Sequence, residues 1–180
     1  MSITDIDSND KSKQIISAIT TIIDKIKNEP KTCNAEFKAS ALLNEGFTSK
    51  INIRQFQLTA DEPNHLGGDD LGPNPVELIL GALASCQQIV IKAYGTLLGV
   101  EVDGVNVETK GKLDLRGFFN LAEVRAGFNN VEFETTIYTT EKNQEKLNQL
   151  IQFAETRCPV YDIIQNPVPV KGSFKISQLN

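Results

Sequence analysis

The run from Asn74 to Gly95, NPVELILGALASCQQIVIKAYG, constrains this chain more than any other stretch. It reads as one long helix, apolar on nearly every face, with a single cysteine, Cys86, in its middle. Asn74 suits the N-cap and Pro75 the first helical position. Glu77, three residues after the cap, can reach back to the cap's N–H as in a capping box. Almost no lysine or arginine interrupts the run before Lys92. A helix that is apolar all round must be buried all round. Gln87, Gln88 and Lys92 keep the apolar run short of the roughly 20 residues a bilayer requires, so no membrane span is predicted. Cys86 is then out of reach of most surface reagents unless a cleft leads to it.

A chain of 180 residues is most simply one domain with a loose extension, or one protomer of a compact oligomer. Its hydrophobic share, 40%, can build a real core. The net charge of −5 gives non-specific nucleic-acid binding no electrostatic support. The N-terminus shows no basic segment, apolar segment and cleavage site in series, which points to the cytoplasm. The cysteines, Cys33, Cys86 and Cys158, form no close pair of the zinc-clip or Cys-x-x-Cys kind. His65 is the one histidine, so a histidine metal site or a Cys–His pair would rest on it alone. No cofactor and no metal is expected. Widely spaced thiols in a cytosolic chain are either buried bystanders or redox groups, and a structural disulfide is the weaker option in a reducing compartment.

Residues 11–28 place Ile15, Ile16, Ile19, Ile22, Ile23 and Ile26 at helical spacing, an amphipathic helix that Glu29-Pro30 ends. Such a stripe packs on its own domain or serves as a partner-binding or dimer-strengthening arm. Residues 36–40 and 50–59 alternate apolar and polar as half-buried strands do, with Asn44-Glu45-Gly46 as the turn of an antiparallel hairpin. In the second strand Ile51, Ile53, Phe56 and Leu58 point inward, with a register irregularity near Gln55, and Arg54 falls on or near the other face. Residues 61–73 read as a loop whose Asp61, Glu62, Asp69 and Asp70 follow no calcium spacing and are expected in solvent. The loop lacks the lysine and spacing of a phosphate loop.

Residues 105–115 and 131–138 alternate as strands, with a loop from Arg116 to Asn130 between them. Thr139 or Thr140 is the expected cap of a second helix carrying Leu147, Leu150, Ile151 and Ala154. Cys158 falls near the same face if that helix continues, and Pro159 constrains it. A short helical segment from Val160 to Gln165 and a last strand, Gly172 to Ile176, complete the chain. Antiparallel strands interrupted by two helices define an α+β domain. One six-stranded sheet covers only one side of the apolar helix, so a second protomer is expected to cover the rest.

Asn74-Pro75-x-Glu77-Leu78 followed by an apolar run ending in Ala84-Ser85-Cys86, with Arg157-Cys158-Pro159-Val160-Tyr161 downstream, resembles the OsmC/Ohr family of osmotically inducible and organic hydroperoxide resistance proteins. Asp61-Glu62-Pro63, Gly67-Gly68, Gly72-Pro73, Leu113-Asp114-Leu115-Arg116-Gly117-Phe118 and Asn166-Pro167-Val168-Pro169-Val170 are similar to its less-characterised "predicted redox protein" branch. The resemblance covers Phe37 to Ile176. It divides the chain into an N-terminal helical extension, 1–32, and an OsmC-like domain, 33–180.

The resemblance implies an intertwined homodimer in which two sheets enclose two cysteine-bearing helices. It also implies thiol-dependent reduction of organic hydroperoxides, with Cys86 at the peroxidatic position and Cys158 at the resolving one. A dithiol of the dihydrolipoyl type then re-reduces the disulfide. The thiolate requires a neighbouring cation, and Arg54 is the best available candidate, with Arg116 or Arg125 as substitutes from the loop. The sequence departs from the Ohr pattern at Val76, where that pattern has a glutamate. Glu77 is the nearest carboxylate, yet nine residues of helix, about 13 Å, separate it from Cys86. It is therefore a capping residue or a site residue. Without the resemblance, Cys86 would read as inert packing; Cys33 has no matching position in the family and is a bystander. Two further readings stay open: an OsmC-like protein that binds a small apolar ligand without turnover, and one that handles the thiols and disulfides of other proteins.

Overall fold

The computed structural model describes residues 3–43 and 45–178, with side chains from residue 10 onward. The chain opens with α1 (Ile3–Asn28) and a single 3-10 turn over Pro30–Cys33. Three short strands follow, β1 (Ser40–Leu43), β2 (Ser49–Ile53) and β3 (Phe56–Ala60), then the long α2 (Pro75–Leu98). After it come β4 (Gly104–Leu113), a one-turn α3 (Leu115–Phe118), β5 (Phe128–Tyr138), α4 (Gln144–Thr156) and α5 (Pro159–Gln165). The α+β expectation holds, with the strands in two antiparallel sheets of order β1-β2-β3 and β4-β5.

α2 begins as its sequence dictates. Asn74 Oδ1 accepts from Glu77 N at 2.9 Å, and Glu77 Oε2 accepts from Asn74 N at 2.8 Å, completing the capping box. The helix runs three residues past the expected end, to Leu98, and β4 cradles one of its sides. Gln88 Nε2 donates to Val105 O at 3.0 Å, Lys92 Nζ to Val102 O at 2.7 Å, and Thr109 Oγ1 to Leu80 O at 3.3 Å. The absence of a side chain at Gly95 lets the helix approach closely: a Cβ there would sit 2.7 Å from a Val102 methyl. Ile91, Val100, Val102, Leu150 and Ala154 form one core cluster, which joins α2 and α4 to the segment leading into β4.

By length and composition α2 could cross a membrane, which corrects the expectation that its apolar run is too short. In the fold it is a packing helix, with Leu83, Gln87, Val90, Ile91 and Gly95 buried. It is not buried all round within one chain, however. Ile79, Ile89 and Leu97 are exposed, Ile89 by 68%.

Other expectations are also corrected. The first strand lies at Ser40–Leu43 rather than 36–40, and Phe37 is exposed. Asn44, in the expected turn, lies outside the described residues. The segment read as one strand over 50–59 is two. Arg54 adopts the left-handed conformation (φ 55°) and reverses the chain, so Ile53 pairs with Phe56 and Ile51 with Leu58. The irregularity sensed near Gln55 is thus a hairpin turn. Asp61 is buried rather than solvated. It accepts from Thr48 Oγ1 at 3.0 Å and from the backbone N–H of Glu62 at 2.8 Å and Leu71 at 3.4 Å. These bonds fold the 61–73 loop onto itself, and Gly68 permits the closure, since a Cβ there would collide with Glu62 O.

Within the expected loop 116–130, Asp114 caps the turn of α3 and β5 starts early, at Phe128. Asn143, not Thr139 or Thr140, caps α4, its Oδ1 accepting from Glu145 and Lys146. The expected strand at 172–176 is not formed, and Phe174 is 99% exposed. An alternating segment becomes a strand only where an edge receives its backbone.

Candidate functional site

The α4–α5 junction and α2 bring Cys86 and Cys158 together. α4 ends at Thr156, and Pro159, whose fixed φ suits a first helical position, starts α5 with Cys158 as its N-cap. That arrangement turns the chain back on α2. Cys158 Sγ donates to Cys86 Sγ at 3.1 Å, although the residues lie 72 positions apart. Forming a bond near 2.05 Å would need about 1 Å of approach.

The surroundings are apolar. Leu83, Val90 and Cys158 form a buried cluster, with Cys86, Val131, Phe133, Val160, Tyr161 and Ile164 packed against it. The Phe133 and Tyr161 rings meet edge to face at 5.8 Å. The two sulfurs differ in access: Cys158 is 2% exposed, whereas Cys86 is half-buried. The Cys158 thiol is pushed up to about 11. Burial is the largest cause, followed by its hydrogen bond to Cys86. The Tyr161 N–H opposes the rise, the Cys86 charge adds to it, and the Val160 N–H opposes it again. Cys158 therefore holds its proton at neutral pH.

Gln87, the residue after Cys86, is 1% exposed, and its Nε2 donates to Ala154 O at 3.3 Å. Sequence reasoning treated Gln87 only as a polar interruption, although a glutamine on an apolar helix beside a cysteine was the available signal. Beyond Gln87 lies a half-open cavity of about 400 Å³ between β5 and α4, bounded by Phe133, Ile137, Leu147 and Ile151.

The remaining candidates are placed elsewhere. Glu77 has its carboxylate in the capping box. Arg54 stands at the tip of the β2–β3 turn with its guanidinium 5.2 Å over the Phe56 ring. Arg116 is held by Asp114, the nearest contact 2.6 Å, and this pair keeps the Asp114 carboxyl below its usual range. Arg125 is exposed. Among the described residues, none of these side chains makes a hydrogen bond or ion pair with either sulfur. Cys33 is an exposed free thiol, and no cluster of histidine, cysteine or acidic residues suited to a metal occurs among the described residues.

This arrangement defines a class of fold: an apolar helix bearing one cysteine, backed by antiparallel strands and met by a second cysteine from a helix junction. The profile of the family described as OsmC-like protein matches residues 67–173. Among solved structures, an OsmC-like protein from Mycoplasma pneumoniae is similar, with 20% identity over 74% of this chain and 90% of the other, and a TM-score of 0.63. So is an organic hydroperoxide resistance protein OsmC from Legionella pneumophila, whose description includes "predicted redox protein, regulator of sulfide bond formation". Its identity is 22% over 78% and 96% of the two chains, with a TM-score of 0.56. A third, an organic hydroperoxide resistance protein from Elizabethkingia anophelis, shows 17% identity over 76% and 92%, with a TM-score of 0.56. No curated protein matches the chain. The chain belongs to the OsmC-like family.

Proposed function

We propose that this protein is a thiol peroxidase that reduces organic hydroperoxides, with Cys86 as nucleophile and Cys158 as resolver. Family membership supports a peroxide-related stress function. The single observation that carries the finer reading is the 3.1 Å approach of the two sulfurs in an apolar setting. The division of roles follows from access and protonation. Half-buried Cys86 is the sulfur a peroxide reaches, and buried Cys158 keeps its proton.

In the first step the Cys86 thiolate attacks one peroxide oxygen. The O–O bond breaks, the alkoxide takes a proton and leaves as an alcohol, and Cys86 becomes a sulfenic acid. In the second step Cys158 sulfur attacks Cys86 sulfur. The S–OH bond breaks, Cys158 gives up its proton, and water leaves. Oxidation of Cys86 to a neutral sulfenic acid also removes the charge contribution that helps hold Cys158 protonated, so the resolver becomes easier to ionise once it is needed. A dithiol of the dihydrolipoyl type then exchanges with the disulfide, restoring both thiols and leaving as a cyclic disulfide. The apolar lining from Leu83, Phe133 and Tyr161 favours alkyl or lipid hydroperoxides over hydrogen peroxide. The reaction suits a reducing cytoplasm.

We further read the working unit as an intertwined homodimer. Leu43, Ile51, Ile53, Phe56 and Leu58 share one face of the β1–β3 sheet by register, and most of that face is exposed. α2 leaves Ile79, Ile89 and Leu97 uncovered. Apolar faces of this extent mark protein contacts, and a second copy offers matching ones. In this reading Arg54, carried on the β2–β3 turn, serves the partner's thiolate rather than its own. Glu77 is a cap. We read 1–32 as a helical extension of a 33–180 domain.

The test is consumption of cumene hydroperoxide with dihydrolipoamide as reductant. Turnover by the parent and its loss in Cys86→Ser are expected, and equal rates would overturn the assignment. The cavity between β5 and α4 favours a second reading, binding of a small apolar ligand without turnover. Failure to form a peroxide-dependent Cys86–Cys158 disulfide would support that one.

A further inference from the structure

The α-helical ladder of α4 breaks where Cys158 leaves the helix. The carbonyl of Phe153 still accepts from Arg157 N at 2.9 Å. The next carbonyl, Ala154 O, would accept from Cys158 N in a continuing helix, but Cys158 is extended there, as the N-cap of α5. Ala154 is buried, so its carbonyl cannot rely on water. The partner it has is the Gln87 side chain, 67 positions away. Gln87 follows Cys86 directly on α2, and Ala154 precedes Cys158 by four residues. One amide thus ties the backbone beside one sulfur to the helix end that presents the other.

We propose that Gln87 is a positioning residue for the resolving step: by capping Ala154 O it holds the α4–α5 junction where Cys158 Sγ meets Cys86 Sγ. The inference rests on the two-cysteine reading above. Gln87 touches neither reacting sulfur in this account. Its contribution is to keep the helix end and Cys86 in register while Cys86 carries the extra oxygen of the sulfenic acid. Without the amide donor the junction is free to move away, and Cys158 then meets the sulfenic sulfur less often.

The seam between α2 and α4 supplies an internal control. The Tyr94 and Phe153 rings stack at 4.3 Å on that seam, so Phe153→Leu loosens the same helix pair without removing the cap on Ala154. Gln87→Met keeps most of the side-chain volume and removes the donor. The experiment treats each full-length variant with one equivalent of cumene hydroperoxide. It follows Cys86 sulfenic acid by dimedone trapping and the Cys86–Cys158 disulfide by mass spectrometry.

In Gln87→Met, sulfenic acid is expected at the parent rate, with disulfide formation slowed about tenfold and over-oxidation to sulfinic acid increased. Phe153→Leu is expected to keep the parent's partition between disulfide and sulfinic acid. Disulfide formation in Gln87→Met within twofold of the parent would overturn the proposal, as would an equal slowing in Phe153→Leu. Equilibration with a lipoamide redox buffer reads the same geometry without peroxide, where Gln87→Met should disfavour the disulfide by about tenfold. Absence of peroxide reactivity in the parent would remove the peroxidase reading, and this second measurement would still decide the role of Gln87.

Discussion

The Cys158 sulfur lies 3.1 Å from that of Cys86 in an apolar cluster. Cys158 holds its proton up to about 11 because burial, the hydrogen bond to Cys86 and the Cys86 charge all disfavour its thiolate, with the Tyr161 and Val160 N–H groups only partly opposing them. The unfolded thiol releases its proton near 9.0. The folded state therefore binds more protons than the unfolded state between these values, and stability must fall as pH rises through that window. Urea denaturation at pH 8 and pH 10.5 should show this decline in the parent and a smaller one in Cys158→Ser. In Cys86→Ser, alkylation of Cys158 should begin at lower pH than in the parent, because the Cys86 charge is gone. An unchanged pH profile would show that burial alone sets the shift. At this scale the sequence singled out Cys86 and Cys158 through the resemblance of their flanking motifs, and the fold brings the two sulfurs together. It did not disclose Gln87 or Asp61, because burial of a lone polar side chain depends on partners that arrive from distant segments.

At the scale of elements, the caps carry local sequence directly into structure. Asn74, Pro75 and Glu77 specify the start of α2 through three adjacent positions, and the capping box formed as read. Asn74→Ala should lower stability by about 1 kcal/mol, measurable by chemical denaturation. The loop before α2 behaves differently, since Asp61 organises it from inside. Burial raises the Asp61 carboxyl, but hydrogen bonds from the Glu62 N–H, the Thr48 hydroxyl and the Leu71 and Asp69 N–H groups outweigh it and hold the carboxyl below its usual 3.8. A depressed carboxyl contributes stability above its unfolded value, and that contribution is lost as pH falls through the folded one. Acid denaturation of Asp61→Asn should accordingly show a weaker pH dependence below about pH 4 than the parent. Strands were less legible than helices. Alternation over 50–59 was correctly seen, but nothing in the period announced that Arg54 would reverse the chain. The same alternation at 172–176 produced no strand, since β-structure requires an edge that the sequence pattern does not name.

At the scale of the whole molecule, the apolar surface is more than one chain can cover. The expectation that α2 is buried all round assumed neighbours on every side, and among the described residues β4, α4, α5 and α1 meet it while Ile79, Ile89 and Leu97 stay exposed. The β1–β3 sheet presents a second apolar face, and its backbone pairing is internal. In the proposed homodimer a second copy covers these faces. Light scattering on the purified protein should give twice the chain mass, and Ile89→Lys combined with Phe56→Lys should shift it toward the monomer. A parent that is monomeric at micromolar concentration would contradict the dimer and leave Arg54 without a thiolate to serve.

The Cys86–Cys158 pair is proposed to turn over organic hydroperoxides through an internal disulfide. The most direct test is mass spectrometry of the protein after one equivalent of cumene hydroperoxide, followed by dihydrolipoamide. One Cys86–Cys158 disulfide per chain is expected, formed with the peroxide and removed by the dithiol, and none in Cys86→Ser. Consumption of the peroxide without that disulfide, or persistence of both free thiols, would contradict it.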